Sequence, residues 1–424
     1  MASIQVCETC GARYEELDPR TVCSCGGLLE VRHDRPLEDG ASLRRLFEER
    51  WAGRAGLDRS GVWRYRELVM PSVGDGAVTQ PEGNTPLLVR ERIAGWAGVP
   101  LLAVKHEGHN PTGSFKDRGM TVGVTQARRV GASAVACAST GNTSASLAAY
   151  GAEAGIPALV FVPAGQVALG KLSQTLAYGA RTLLVQGDFD ACLRLVQEAA
   201  ARLGVYLLNS INPFRLEGQK TIVLELLHQL EWVVPDWIVL PAGNLGNTAA
   251  FGKALVEAKS LGLIDHLPRI AAVQAAGAAP FARGFAEDFA SRHRVRAETV
   301  ATAIKIGDPA SWNRAVRAIR DTRGLVTAVS DEEILEAKAV IDAAGVGCEP
   351  ASAASLAGAR QLRAQGVIGD RDRVVAVLTG HVLKDPGALL TYHQEIEPPP
   401  RFANRPIEIP AELSAVEAVL RRST

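Results

Sequence analysis

A regular alternation of short apolar runs with helix-length stretches limits the fold of this chain more than any other feature. Residues 134–138, 158–162, 182–185 and 205–208 are rich in Val, Leu and Ala, and the stretches between them begin near Thr143, Ala168 and Phe189. Apolar runs of strand length with helix-length separators predict consecutive βα units, hence a parallel sheet covered on both faces. The rhythm resumes at 237–240, 270–273 and 373–378. At 424 residues the chain exceeds the size at which one core stops growing, so two α/β domains and an appendage are expected. The charged segment 43–66 reads as helix, residues 71–86 as a Gly/Pro-rich passage, and the proline-clustered tail after Pro398 as a strap over a surface or a partner subunit.

Composition narrows the partners. Lys plus Arg and Asp plus Glu number 46 each, which leaves no electrostatic footprint for nucleic acid or an anionic membrane. Met1 to Val6 carry neither the basic nor the apolar region of a secretion signal, and no stretch is apolar for long enough to span a bilayer. A cytoplasmic protein is expected. Four of the seven cysteines crowd the N-terminus as Cys7-x-x-Cys10 and Cys23-x-Cys25. In a reducing compartment such pairs read as metal ligands before disulfides, and Gly11 and Gly26-Gly27 suit the knuckles of a zinc ribbon. The second pair is C-x-C where a ribbon more often has C-x-x-C, so two readings stand: a structural zinc on Cys7, Cys10, Cys23 and Cys25, or a reduced relic of such a knuckle. Four thiolates would fill the tetrahedron, which argues against a catalytic metal.

Four segments carry chemistry. In His109-Asn110-Pro111-Thr112-Gly113-Ser114-Phe115-Lys116-Asp117-Arg118-Gly119, a lysine beside an aromatic residue suits an amine that meets an aldehyde, as pyridoxal phosphate requires. Ser139-Thr140-Gly141-Asn142-Thr143-Ser144 follows a strand and opens a helix. Its free N–H groups can hold an amino acid's α-carboxylate, and the Asn142 amide can donate to a phenolate oxygen; an ordinary Ser/Thr/Asn helix cap is the alternative. Gly243-Asn244-Leu245-Gly246-Asn247-Thr248 is either a phosphate cradle or a simple βα turn. It is neither the dinucleotide fingerprint nor a Walker loop. Thr379, before Gly380 and His381, either finishes a strand or offers its hydroxyl to a ligand at the strand's carboxyl end. Facing a pyridine nitrogen, a neutral hydroxyl would not hold that nitrogen protonated, which suits elimination and replacement better than transamination.

Together these segments resemble the fold-type II pyridoxal-phosphate enzymes, the tryptophan synthase β family, and within it the threonine synthases. The resemblance runs from the Cys-rich start to Pro386. It is carried further by Asp117, by the run 209–221 that contains Asn209, Asn212-Pro213 and Arg215, by Ile304-Lys305-Ile306-Gly307-Asp308-Pro309, by Cys348-Glu349-Pro350-Ala351-Ser352, and by Lys384-Asp385-Pro386. Val382 stands where that family has glycine. The resemblance implies that Lys116 carries the Schiff base, that Asn142 bonds the cofactor's 3′ oxygen, that Gly243, Asn244, Leu245, Gly246 and Asn247 cradle its phosphate, and that Thr379 meets the ring nitrogen. It also implies a substrate phosphate held by Ser139, Thr143, Asn209, Arg215 and Asn244, with Thr140 among the substrate-binding residues. The implied reaction turns O-phospho-L-homoserine and water into L-threonine and phosphate. Cysteate synthase, a threonine/serine dehydratase, and a non-catalytic pyridoxal-phosphate or amino-acid binding protein are the alternatives. The implied architecture is a homodimer of chains with a ribbon-like appendage (1–35), a small domain (125–213) and a large domain (36–124 with 214–424).

Overall fold

Thirteen strands form three sheets among the described residues, 3–165 and 172–422 of a computed structural model. β1 (Ser3–Cys7), β2 (Arg13–Glu15) and β3 (Leu29–His33) make a small antiparallel sheet ordered β2-β1-β3. β4 (Leu87–Leu88) and β5 (Leu102–His106) precede a separate four-stranded parallel sheet. Its strands are β6 (Ala134–Ala138), β7 (Ala158–Pro163), β8 (Arg181–Val185) and β9 (Val205–Leu207), ordered β8-β7-β6-β9. β10 (Trp237–Pro241), β11 (Arg269–Ala275), β12 (Leu325–Val329) and β13 (Val374–Leu378) then join β4 and β5 in the order β12-β11-β10-β13-β5-β4, all parallel except β4.

Every strand expected from an apolar run is present; β1 to β5 and β12 are additions. The apolar runs behave as a two-sided core requires. In β10, Ile238 and Leu240 pack into one cluster with the helices Thr221–Gln229 and Gly246–Ser260, while Trp237 and Val239 pack into another with Asp331–Ala343 and Pro350–Ala364. That is the period-two alternation of a strand covered on both faces. The segment 43–66 is not one helix. The helix Gly40–Gly53 ends where Arg54 adopts a left-handed φ of 47°, and short 3-10 turns at Gly56–Arg59 and Trp63–Tyr65 follow. The helix start expected near Ala168 falls outside the described residues; among them a short helix spans Ser173–Ala177. Met1–Asp385 is one compact unit. Pro386–Thr424 is a second, with helices at Pro386–Leu390 and Leu413–Arg422. No helix among the described residues is long and apolar enough to cross a membrane.

Strand order brings the chemistry together. β13 lies between β10 and β5, and all three run the same way. The turn at Gly243, the Thr379 segment and the loop leading to Lys116 therefore leave the same edge of the sheet side by side, the crevice where open α/β sheets bind ligands. In the other sheet β6 neighbours β9, which sets the turn at Ser139 beside Asn209.

Beneath the crevice four buried charges balance one another. Arg118 Nε donates to Glu107 at 2.7 Å and its Nη2 to Glu225 at 2.8 Å, while Lys105 Nζ donates to Glu225 at 2.7 Å. This cluster ties the helix Lys116–Arg129 to β5 and to the helix Thr221–Gln229. Glu225 also accepts the Asn84 and Thr85 N–H groups. Removing one member of such a cluster strands a buried charge, at a cost of about 3–5 kcal/mol. Glu225→Ala should therefore lower the thermal midpoint by many degrees. Arg202→Ala, which breaks only the exposed pair with Glu198, should change stability by less than about 1 kcal/mol. Equal melting of the two variants would refute this role of the cluster.

Candidate active site

Lys116 opens its helix at the end of a stapled loop. Asp117 accepts the Thr112 N–H at 2.7 Å, the Thr112 hydroxyl at 2.6 Å and the Ser146 hydroxyl at 2.6 Å. Burial raises this carboxyl to about 6. The same loop is stitched to the segment after β13: Phe115 N–H donates to Thr379 O at 3.0 Å and His381 N–H to Gly113 O at 2.9 Å. Lys116 Nζ lies 4.3 Å from the centre of the Phe115 ring. Burial, with Arg215's charge second, lowers the amine to about 7; Glu349 pulls the other way. A cation with few waters and a like charge beside it gives up its proton easily.

The ends of both parallel sheets meet at Glu349. Its carboxylate accepts from Asn142 Nδ2 at 3.0 Å and from Thr379 Oγ1 at 3.4 Å. Ser352 Oγ accepts the N–H groups of Thr379 and Gly380 at 2.8 and 2.9 Å and lies 3.0 Å from Thr379 Oγ1. The Thr379 hydroxyl is thus held between Ser352 and Glu349.

Both turns proposed to hold anions open helices that lack a side-chain cap. Asn142–Ala154 begins after Gly141, with no capping bond from a side chain. No Ser, Thr or Asn side chain caps this helix, and its first-turn N–H groups are left without a side-chain partner. Thr140 lies in this turn and Thr143 in its first helical residues, while Ser139 Oγ accepts the Gly141 N–H at 3.3 Å. Gly246–Ser260 follows Leu245, a left-handed residue with φ 65° and no capping bond. Around this second turn Gln219 Oε1, Asn247 Oδ1, Thr248 Oγ1 and Ser311 Oγ are buried without a hydrogen-bond partner among the described residues. Asn244 instead receives the Ala310 N–H at 3.1 Å. Orphaned buried polar atoms are costly; of these, the Thr248 and Ser311 hydroxyls can donate to a phosphate beside the uncapped N–H groups, whereas the Gln219 and Asn247 oxygens are acceptors.

Arg215 supplies a second such place. It sits on Pro213–Gln219, a helix fixed by Asn212, whose side chain accepts the Phe214 and Arg215 N–H groups. The guanidinium is 1% exposed. Nη1 donates to Leu208 O at 3.0 Å, whereas Nε and Nη2 have no partner among the described residues. Burial lowers it to about 10. Asn209 is held at the end of β6, accepting the Ala138 N–H at 3.1 Å.

The four N-terminal cysteines form a separate cluster in the antiparallel sheet. Their sulfurs all lie within 4.8 Å of one another, with Cys7–Cys25 at 3.5 Å and Cys10–Cys23 at 3.7 Å. Gly27 is required there, because a Cβ would sit 2.7 Å from Cys7 Sγ.

Lys116, Asn142, Thr379 and Arg215 thus share one crevice with the two uncapped turns. In the sequence, Glu349 and Ser352 carried the resemblance without roles, and Gln219, Thr248, Ser311 and Lys384 drew no assignment. A carboxylate directly before Pro350 was the available signal for Glu349. Val382, where the resembling family has glycine, packs on Gly347; a Cβ added to Gly347 would lie 3.3 Å from Val382 Cβ.

Residues 78–380 match the family model described as pyridoxal-phosphate dependent enzyme. The chain belongs to that family of enzymes. Within it the similarity is to threonine synthases. The protein of that name from Methanosarcina acetivorans is 48% identical over 392 residues, covering 92% of this chain and 94% of its own. The one from Methanocaldococcus jannaschii is 43% identical over 423 residues, covering 99% of each. The crystal structure of threonine synthase from Escherichia coli, at 19% identity, shares the fold with a TM-score of 0.70, covering 99% of this chain and 100% of that one.

Lys116 should behave as an amine near neutrality. With its proton lost at about 7, it is uncharged above that pH, while ordinary lysines stay protonated to about 10.4. In the cofactor-free chain, pulse labelling with an amine reagent followed by peptide mapping should show Lys116 reacting with a midpoint near pH 7. A midpoint near that of the surface lysines would contradict the geometry.

Proposed function

We infer that this chain is a threonine synthase in the full chemical sense, converting O-phospho-L-homoserine and water into L-threonine and phosphate. The observation that supports the reading is two groups of buried polar atoms without partners among the described residues, one beside the turn at 243–248 and one at Arg215. The turn at 243–248 suits the cofactor's phosphate, and Arg215, with two free donors beside Lys116, suits a second phosphate that only the substrate can bring. A dehydratase needs one such site.

Pyridoxal phosphate, when bound, supplies an aldehyde carbon for amines and a ring that stabilises negative charge at Cα. The chain's residues do the rest. Lys116, uncharged near neutral pH, takes the protons from Cα and then Cβ and returns protons where they are needed. The N–H groups of the turn 139–143 hold the α-carboxylate, with Thr140 beside it. Arg215 grips the γ-phosphate, with Ser139, Thr143, Asn209 and Asn244 contributing polar groups. Phosphate leaves Cγ with the bonding electrons, the hydroxyl of water joins Cβ, and Cγ gains a proton to become the methyl group of threonine. Phosphate retained by Arg215 can carry a proton to or from that water. The Thr379 hydroxyl would hold the ring nitrogen, and the Asn142 amide would donate to the ring oxygen. Residues 125–213 act as a small domain closing on 36–124 with 214–424, in the cytoplasmic homodimer that the resemblance implies.

We also assign a structural zinc to the ribbon at 1–35. Four Zn–S bonds of about 2.3 Å in a tetrahedron imply sulfurs about 3.8 Å apart, close to the spacings of the two cysteine pairs.

Three experiments test these assignments. Arg215→Ala should cut turnover of O-phospho-L-homoserine at least tenfold, since a charge-assisted contact contributes roughly 1.5–3 kcal/mol, and should leave cofactor absorbance intact. Phosphate release from phosphoserine with sulfite should stay far below that from phosphohomoserine; the reverse order would replace the reading with cysteate synthesis. For the ribbon, protein purified without chelator should carry one zinc. Cys7→Ser with Cys10→Ser should lose the zinc and melt earlier, with nearly unchanged kinetic constants. A metal-free protein of equal heat stability and full activity would leave the cysteines a relic.

A further inference from the structure

Glu349 sits where a helix cap should be and does not cap. It is the residue before Pro350–Ala364, in extended conformation, yet its side chain accepts no N–H from that helix. Its carboxylate is turned instead toward the two parallel sheets. It is 4% exposed and bonded to Asn142, which follows β6, and to Thr379, which follows β13. Those two strands belong to different sheets. Space is reserved for it: a Cβ on Gly380 would lie 2.5 Å from Glu349 Oε1.

We propose that Glu349 is the positioning residue of the site: it registers Asn142 against Thr379 across the cofactor ring and serves as the counter-charge of Lys116. The idea rests on the reading of Lys116 as the cofactor's lysine. The charged groups that act on Glu349 are Lys116, Lys384 and Asp385, with the buried Cys348 thiol its chain neighbour. Those that act on Lys116 are Arg215, which disfavours its positive charge, and Glu349, which favours it. Lys384 is engaged elsewhere, donating to Gln174. Among the described residues Glu349 is then the carboxylate whose charge acts on the reactive amine, and it works through Lys116, Asn142 and Thr379 instead of touching substrate.

The test follows the absorbance band of the cofactor-loaded protein, near ~410 nm, as a function of pH. Removing a counter-charge makes a neighbouring cation lose its proton at lower pH, by about one unit or more at contact distances. Glu349→Gln should therefore lower the pH midpoint of the band by at least about one unit and release cofactor faster on dilution. Glu349→Asp keeps the charge but pulls it back by one carbon; it should hold the wild-type midpoint and still release cofactor faster. An unshifted midpoint in Glu349→Gln, or an equal shift in both variants, overturns the proposal. If Glu349→Gln fails to fold or to load, Glu349→Asp decides alone: a retained midpoint with faster release supports the role, and a shifted midpoint overturns it. A wild-type protein that forms no Lys116-dependent band would instead sink the underlying reading, a distinct result.

Discussion

The site depends on one adjacency in the large sheet, the insertion of β13 between β10 and β5. Parallel strands send their carboxyl ends to the same edge, so three segments far apart in sequence leave the sheet as neighbours. The backbone bonds that join Phe115 and Gly113 to Thr379 and His381 then lock the lysine loop onto the middle segment. The four-stranded sheet brings its own pair of turns to the same crevice, and Glu349 is the buried group that touches contributions from both.

Stability is spent in specific places to keep this crevice open. Two long helices begin without a side-chain cap, each forgoing about 1 kcal/mol that a Ser or Asp would contribute. Several buried polar atoms lack partners, and Arg215 is held half-satisfied. The compensation lies just beneath, where Lys105, Glu107, Arg118 and Glu225 neutralise one another and anchor the helix that starts with Lys116. Such a base of paired charge is costly to desolvate and costly to break, a property better suited to fixing geometry than to adding net stability.

Much of this was readable from the amino acids, for reasons that differ from part to part. The central strands were visible because both faces are buried, making each a continuous apolar run such as Ala134–Ala138. β5 was hidden because Lys105 and His106 are buried polar residues in it, and their partners lie far along the chain. β12 was hidden because Thr327 and its half-buried neighbours break the run. The helix after Leu43 was overextended because charge patterning cannot register the left-handed stop at Arg54. Lys116, Asn142, Arg215 and Thr379 could be nominated from the sequence because each lies in a motif. Glu349, Gln219, Thr248 and Ser311 were not assigned roles, because only the fold shows that Glu349 leaves its helix uncapped or that the other three are left without partners.

The central claim is that the crevice is built around Lys116 as the amine that holds pyridoxal phosphate. Lys384 is the serious rival, a half-buried lysine whose amine is also lowered by burial and which acts on Glu349 as well. Borohydride reduction of the cofactor-loaded chain, followed by peptide mass mapping, separates the two. The reduced pyridoxyl group should lie on the peptide containing Lys116; finding it on Lys384 or any other lysine would contradict that claim at its base.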